Sequence, residues 1–376
     1  MGNEQTYKNI FVAGIEGKQF DIAASNGRFT SITESETFHL NPPDKGLWIS
    51  PGIIDLHLHL GWTDFEYADQ LKREASEIET LQARAFDATL RAGVTTVRDA
   101  GGLLPDAVKQ ISRKYRLTLG VIACGAMLGA EDAKGARHLQ SRITEITPTG
   151  ARWIKVFAAG GLGSQRERVL EPVFSKEEFF TIVRSAHTCA MKVMVHTWGG
   201  ATLDWVAEAG ADSVEHGVYM TEDQAFRLAE AQIPLIPTTA IYRIAADPAG
   251  VLALPAGLRE RAAYAADAHP KAVRYAKRAG VKIGFGTDFA APALHGCNLE
   301  EFDSLMDCGL TRAEAWQSAT AVSAGIVDEG SMLGCIKEGY LADAVLYNAD
   351  PYKAPNAKAL RESIVSVRKG TAEQEI

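Results

Sequence analysis

Paired cysteines are missing from this chain. Its 376 residues include five cysteines, which are widely spaced and form no Cys-x-x-Cys pair. An odd number of scattered thiols disfavours both a disulfide framework and a zinc–thiolate site. We therefore expect small buried or half-buried side chains, among which only Cys297, two residues after His295, could turn its thiol toward a site.

Long apolar runs and an excess of basic residues are missing too. The most apolar windows, such as 48–60, are shorter than the roughly 20 residues of a membrane-spanning helix, and they contain Asp and His. The formal net charge is -8, and no basic stretch could neutralise nucleic-acid phosphates. Residues 1–8 are polar, with no apolar signal segment after them. We expect a cytoplasmic protein without membrane or nucleic-acid partners, which acts on a small molecule and could form a homo-oligomer.

What the chain does contain is a slow alternation of apolar, β-branched runs with amphipathic helical stretches, several of which end at a glycine such as Gly210 or Gly280. The eight strand-like runs are Gly52–His59, Val94–Asp99, Leu117–Cys124, Trp153–Phe157, Lys192–His196, Ser213–His216, Pro234–Thr238 and Lys282–Thr287. Eight strands, each followed by a helix, predict an α/β protein with a (β/α)8 TIM barrel. A doubly wound sheet is the alternative, but no Gly-x-Gly-x-x-Gly follows the first strand.

The two ends of the chain do not fit a barrel. Residues from about Tyr7 to Ile49, and again from about Leu333 to Val367, read as short strands broken by glycine and proline turns. Two such flanks would most simply pair with each other. We therefore predict a barrel over residues 51–332 and a small β-sandwich domain formed by residues 1–50 and 333–376.

Polar side chains collect at the ends of the predicted strands, where barrels of this type carry their catalytic groups. His57 and His59 end the first strand, His196 the fifth and His216 the sixth, while Asp288 follows the eighth. Because side chains alternate along a strand, His57 and His59 point to the same side, which is the geometry that two imidazoles on one metal ion need.

Each of these residues also has an ordinary explanation, since a lone histidine at a strand end is usually a hydrogen-bonded structural residue. Together they are harder to explain in that way. Lys155 lies within the apolar run Trp153–Phe157, and a buried ammonium must be paired or neutralised. A lysine buried among strand-end histidines therefore demands an explanation.

These segments resemble the amidohydrolase superfamily of metal-dependent hydrolases. The matching pieces are residues 51–59 (PGIIDLHLH), residues 95–102 (TTVRDAGG), Lys155, Val195-His196, Glu215-His216-Gly217, Gly286-Thr287-Asp288 and residues 339–346 (GYLADAVL). They resemble most the binuclear, prolidase- and carboxypeptidase-like branch, in which a lysine carboxylated by CO2 bridges two divalent metals.

Carried over by position, the resemblance implies that each of these strand-end residues is a metal ligand. The first metal would bind His57, His59 and Asp288, the second would bind His196 and His216, and a carbamate on Lys155 would lie between them. Zinc suits histidine and carboxylate ligands, although such sites also tolerate manganese or cobalt.

The same resemblance implies a mechanism. A hydroxide bridging the two metals would attack a carbonyl, and Asp288 would move its proton to the leaving amine. Tyr242, just after the seventh strand, would donate a hydrogen bond to the oxyanion.

Substrate contacts are expected from two loops. His295, with Asn298, resembles a His-Gly-x-Asn segment of the family, and Arg166 and Arg168 could pair with a carboxylate. The sequence departs from the peptidase-like branch after the third strand, where residues 127–133 hold no histidine and the nearest is His138.

The leading hypothesis is therefore a binuclear hydrolase that cleaves the C–N amide bond of an N-acyl amino acid or a dipeptide with a free α-carboxylate. A cyclic-amide hydrolase or a deaminase of the same superfamily is the alternative, and the deaminase is disfavoured because that branch usually keeps one metal and lacks the bridging lysine. An inactive scaffold is a further alternative, against which the six intact candidate ligands argue.

Overall fold

The computed structural model describes residues 4–36, 46–64, 67–163, 168–327, 332–370 and 372–375. The strands are β1 (Gln5–Val12), β2 (Gln19–Ser25), β3 (Arg28–Glu34), β4 (Trp48–Pro51), β5 (Ile53–Leu58), β6 (Val94–Asp99), β7 (Gly120–Leu128), β8 (Trp153–Phe157), β9 (Lys192–Thr197), β10 (Ser213–His216), β11 (Leu235–Ile236), β12 (Ala344–Tyr347), β13 (Ile364–Lys369) and β14 (Ala372–Glu375).

The α-helices alternate with the strands of the central part of the chain. They are α1 (Tyr67–Gln70), α2 (Ala75–Arg91), α3 (Pro105–Tyr115), α4 (Ala136–Ile146), α5 (Lys176–Thr188), α6 (Ala201–Ala209), α7 (Glu222–Glu230), α8 (Thr239–Ala246), α9 (Ala256–Ala279), α10 (Glu300–Asp307), α11 (Arg312–Gln317), α12 (Ser323–Val327) and α13 (Ala357–Glu362). Gly210 and Gly280 cap α6 and α9 with φ values of 69° and 80°, as the sequence predicts, because glycine adopts the left-handed conformation without a Cβ penalty. None of the described helices is both long and apolar enough to cross a bilayer.

Strands β5 to β11 form one parallel sheet in the order in which they occur along the chain. Apart from the half-buried residues of β7, their side chains are buried nearly throughout, since helices cover the outer face and the barrel interior is filled. The predicted α/β barrel is thus confirmed. It places the carboxyl ends of all seven strands, and the loops that follow them, around one rim.

The predicted eighth strand, Lys282–Thr287, is present only as an irregular segment. It closes the ring through backbone hydrogen bonds to both neighbours, from Gly284 N to Leu235 O (2.8 Å), from Leu56 N to Phe285 O (2.8 Å) and from Thr287 N to His57 O (3.0 Å). The prediction of a regular strand there is wrong, and at two positions, Gly284 and Gly286, this segment approaches its neighbours too closely for a side chain. A Cβ on Gly286 would lie 2.4 Å from Ile236 Cγ2 and 2.9 Å from His57 Cβ.

The terminal segments pair in a second, mixed sheet with the order β14-β13-β12-β4-β1-β2-β3. The two ends of the chain meet where β4 runs antiparallel to β12, with Ile49 opposite Leu346. Ile10, Ile22 and Phe29 form a small core with these two residues. The expected β domain from both flanks is confirmed in this respect, while its boundaries at residues 50/51 and 332/333 stay predictions.

Candidate functional site

The first, eighth and fourth barrel segments bring four of the predicted residues into contact at the centre of the rim. Oδ1 of Asp288 lies 3.2 Å from Nε2 of His57 and 3.2 Å from Nε2 of His59. The Nζ atom of Lys155 lies 3.0 Å from the same His57 nitrogen. Side chains that are far apart in sequence thus converge on one point, with the lysine fully buried.

His196 and His216 complete the group. Their ring centroids lie 4.5 Å apart, and the His216 ring lies 4.9 Å from that of His57. One ligand atom each from His57, His216 and Asp288 lies within 4.8 Å of the other two. The structure therefore brings all six predicted metal-ligand candidates together, and their imidazole and carboxylate groups fit a divalent metal such as zinc.

Outer hydrogen bonds fix which nitrogen of His57 and His59 faces the centre. Nδ1 of His57 donates to Oε2 of Glu215 at 2.6 Å, and Nδ1 of His59 donates to the Gly101 carbonyl at 3.1 Å. Because both acceptors lack a proton, Nδ1 carries a hydrogen in each ring, and Nε2 is the nitrogen that faces the centre. This is the arrangement that ligating histidines use.

His196 is oriented the other way round. Its Nε2 donates to the Gly160 carbonyl at 3.2 Å, so Nδ1 keeps the lone pair. A Cβ on Gly161 would lie 2.7 Å from the His196 ring, so only a glycine lets this loop pass so close to the imidazole. His216 contacts Oγ1 of Thr238 through Nδ1 at 2.7 Å.

The electrostatics of the group suit metal binding. Burial lowers the pKa of His196 to about 3 and that of His216 well below its usual value, so both imidazoles are neutral. Burial also lowers the pKa of the Lys155 amine. Although burial alone would raise the pKa of Asp288, the adjoining histidines, His57 above all, hold it well below its usual range. The carboxylate is therefore ionised.

Sequence reasoning missed Glu215 as a functional residue. Its Oε1 accepts from Nη2 of Arg98 at 2.8 Å and from Oγ of Ser213 at 2.5 Å, while Oε2 accepts from Nδ1 of His57. Burial would raise its pKa, but Arg98 and His57 lower that value to about 2. A signal existed, since a glutamate in the buried strand β10 requires a buried cation, as Lys155 requires an anion.

Replacing Arg98 with methionine should destabilise the protein by about 3–5 kcal/mol, because it leaves Glu215 buried without its cation. Urea unfolding measures the loss. The double variant Arg98→Met/Glu215→Gln removes both charges, and it should regain most of that stability. A single variant as stable as the wild-type protein would contradict the assigned pairing.

The backbone is strained at three strand ends that form this site. Residues His216, Thr238 and Asp288 have φ values of 71°, 54° and 57°, in the left-handed region that residues with a side chain rarely occupy. Each such residue costs of order 1–3 kcal/mol, and strain of this kind concentrates at functional sites. The backbone adopts the left-handed conformation at Thr238, and β11 ends at Ile236. The predicted strand Pro234–Thr238 is therefore too long.

Tyr242 lies in α8, within the wall of the site. Its ring is buried, and the centroid lies 6.1 Å from that of His216 and 5.4 Å from that of His269. Burial, together with the negative charge of Asp288, raises the pKa of Tyr242 well above its usual value. The hydroxyl therefore stays protonated and can donate a hydrogen bond.

The residues predicted to contact the substrate differ in their burial and in their partners. His295 is buried, with a pKa that burial lowers to about 4. Arg168 is an 83% exposed side chain paired with Glu171 at 2.8 Å, so it forms a surface ion pair. Arg166 lies outside the described residues. Nδ2 of Asn298 donates to Oδ2 of the buried Asp55 at 2.9 Å. Since Oδ1 of Asp55 accepts from the backbone N–H of His57, Asn298 supports the backbone at His57.

The fold and the site define the class of protein: an α/β-barrel hydrolase with a histidine- and carboxylate-lined centre at the carboxyl ends of its strands. The chain belongs to the amidohydrolase family, whose model matches residues 48–370. The resemblance seen in the sequence is thereby confirmed. The protein is a hydrolase that acts on C–N bonds, and members of this superfamily typically use divalent metals.

Several known proteins are similar over most of the chain. Ochratoxinase of Aspergillus niger is 26% identical over 366 residues, covering 86% of this chain and 74% of the relative. A crystal structure of a prolidase complexed with N-methylphosphonate-L-proline superposes with a TM-score of 0.89 at 22% identity, covering 99% of both chains. A Xaa-Pro dipeptidase with bound methionine gives a TM-score of 0.86 at 22% identity, over all of both chains.

Proposed function

We propose that this protein is a binuclear metal-dependent hydrolase that cleaves the C–N amide bond of a small N-acyl amino acid or dipeptide. One observation carries the proposal: Nε2 of His57 and Nε2 of His59 both contact the Asp288 carboxylate at the barrel centre, and Nζ of Lys155 contacts the same His57 nitrogen. Similarity to ochratoxinase, a prolidase and a dipeptidase supports the amide bond as the target.

Six side chains would hold the metals. His57, His59 and Asp288 would bind the first ion, and His196 and His216 the second, with the carbamate of Lys155 between them. When bound, divalent cations such as zinc polarise a carbonyl oxygen and make a water molecule more acidic.

Lys155 would become a carbamate by addition of its neutral amine to CO2, which forms an N–C bond and releases one proton. Burial favours this step because it lowers the pKa of the amine and so increases the unprotonated fraction. The product is an anion, which removes the cost of a buried ammonium among histidines.

Asp288 and Tyr242 would divide the remaining chemistry. The ionised Asp288 carboxylate accepts the proton of the attacking water and passes it to the leaving nitrogen. The protonated Tyr242 hydroxyl donates to the carbonyl oxygen as negative charge develops there. The Glu215 carboxylate holds the His57 ring in the orientation and tautomer that ligation requires.

Metal analysis of the purified protein tests the centre. Elemental analysis should find two divalent ions per chain after growth in zinc-supplemented medium. The variant His59→Ala should lose metal, whereas His187→Ala should not, because His187 is a surface residue paired with Asp212 at 2.9 Å. One ion or fewer in the wild-type protein would overturn the binuclear proposal.

A substrate panel tests the bond and the free α-carboxylate. We expect cleavage of dipeptides and N-acyl amino acids that is faster than cleavage of their C-terminal amides. If the amides react equally fast, the carboxylate preference is wrong, and Arg166, Arg168 and His295 lose their proposed role. Hydrolysis of a cyclic imide alone would favour the cyclic-amide alternative. The cytoplasmic location and a homo-oligomer stay predictions.

A further inference from the structure

The helix that carries Tyr242 begins in an unusual way. Its N-cap residue, Thr238, has left-handed backbone angles (φ 54°, ψ 52°), whereas N-cap residues usually have extended ones. A threonine at this position can accept a hydrogen bond from the first turn of its helix. Thr238 makes no such bond, and its Oγ1 lies 2.7 Å from Nδ1 of His216 instead. The first backbone N–H groups of α8 therefore need an acceptor from another part of the chain.

Glu301, in α10, is that acceptor. Its Oε1 accepts from the backbone N–H of Thr239 at 2.8 Å and from the Thr239 hydroxyl at 3.0 Å. Its Oε2 accepts from the backbone N–H of Ala240 at 2.7 Å. The Glu301 side chain is fully buried, and a buried carboxyl group is costly unless its oxygens are hydrogen-bonded. Glu301 thus fixes the first turn of α8 relative to α10.

Tyr242 lies in that first turn, three residues after Thr239. Its ring makes T-shaped contacts with Trp198, at a centroid distance of 5.3 Å, and with His269, at 5.4 Å. These contacts restrict the orientation of the ring, while the start of α8 sets the backbone position from which the ring extends. The position of the Tyr242 hydroxyl therefore depends on the cap that Glu301 provides.

We propose that Glu301 is a positioning residue for the reaction: by capping α8, it holds the Tyr242 hydroxyl where that group donates to the oxyanion. This inference rests on the proposed function, in which Tyr242 is the donor. Such a donor must lie within about 2.7–3.1 Å of the developing oxyanion, so a small displacement of α8 lowers kcat. The hydrogen bonds of Glu301 run to α8 and to none of the six candidate ligands, so metal binding should not depend on it.

Removing one acceptor of the cap tests the proposal. In Glu301→Gln the side chain keeps its shape, but its NH2 group faces a backbone N–H and cannot accept from it. With the zinc-loaded protein and the dipeptide that it cleaves fastest, kcat should fall about tenfold while KM changes by less than about twofold. Zinc content should stay as in the wild-type protein. A crystal structure of the variant should show the Tyr242 hydroxyl displaced, with His57 and Asp288 in place.

A double-variant cycle separates positioning from a general loss of stability. Tyr242→Phe removes the donor and should lower kcat by about 10²-fold or more. In this background Glu301→Gln should have no further effect on kcat, because no hydroxyl is left to position. If the two effects multiply instead, the inference is wrong. Loss of zinc from Glu301→Gln, or an unmoved Tyr242 hydroxyl in its crystal structure, would overturn it as well.

Asp303→Asn is the matched control on the same helix. Oδ2 of Asp303 accepts from the backbone N–H of Ala357 at 2.8 Å, at the start of α13, a helix without predicted site residues. This variant weakens a similar contact between a side chain and the start of a helix. It should therefore lower the free energy of unfolding and leave kcat unchanged.

A milder variant covers the case in which Glu301→Gln does not fold. Thr239→Val keeps both backbone donors and removes only the hydroxyl hydrogen bond to Oε1. Its kcat should fall about threefold, as expected for one lost hydrogen bond, and this loss should also vanish in the Tyr242→Phe background. Full activity of Tyr242→Phe would overturn this inference and leave amide hydrolysis intact. A wild-type protein that cleaves no amide would instead overturn the proposed function itself.

Discussion

Turnover of the Asp288→Asn variant should fall by more than about 10²-fold, since an amide cannot accept the proton of water or deliver it to the leaving nitrogen. The wild-type carboxylate can accept the proton because it is ionised, since the adjoining histidines, His57 above all, keep its pKa low. Asparagine has nearly the same shape, so substrate binding should change much less than kcat. Steady-state kinetics on the best amide of the panel would measure both.

The matched control is Asp307→Asn, which alters an exposed aspartate that pairs with Arg243 on the surface. It should retain wild-type turnover. Metal analysis of Asp288→Asn separates a lost proton carrier from a lost ligand. If that variant turned over at the wild-type rate, Asp288 would be a metal ligand without a role in proton transfer.

Replacing Lys155 with alanine should abolish activity and deplete the metals. The variant removes the side chain proposed to lie between the metals, and it leaves a cavity between His57 and the pair His196 and His216. Acetate or propionate should restore part of the activity, because a free carboxylate can occupy the position of the carbamate. Metal content and kcat, measured with and without the added acid, test both expectations.

Lys192→Ala is the control for this substitution. Lys192 begins β9 and lies over the Trp153 ring at 5.5 Å, away from the six candidate ligands. It should keep both metals and full activity. A crystal grown with metal and CO2 in which Lys155 remained a bare amine would contradict carboxylation even if the alanine variant were inactive.

The regular part of the barrel could be predicted from local sequence. Strand β6 occupies exactly the predicted residues, because a β-branched run there begins after Gly93 and ends at a polar cluster. Strand β7 instead continues four residues beyond the predicted end at Cys124. Gly125 lies within this strand, and a Cβ there would lie 2.4 Å from Ile146 Cγ2, so glycine serves the packing of α4 against the strand.

The sequence by itself determined the α/β barrel, because strand and helix periods are local properties, and the resemblance of its motifs supplied the family and the six candidate ligands. The partner of Glu215 was not local, since Arg98 lies 117 residues away in sequence. Only the tertiary structure decided which imidazole nitrogens face the centre, since the Gly101 and Gly160 carbonyls that orient two of the rings become neighbours only when the barrel closes.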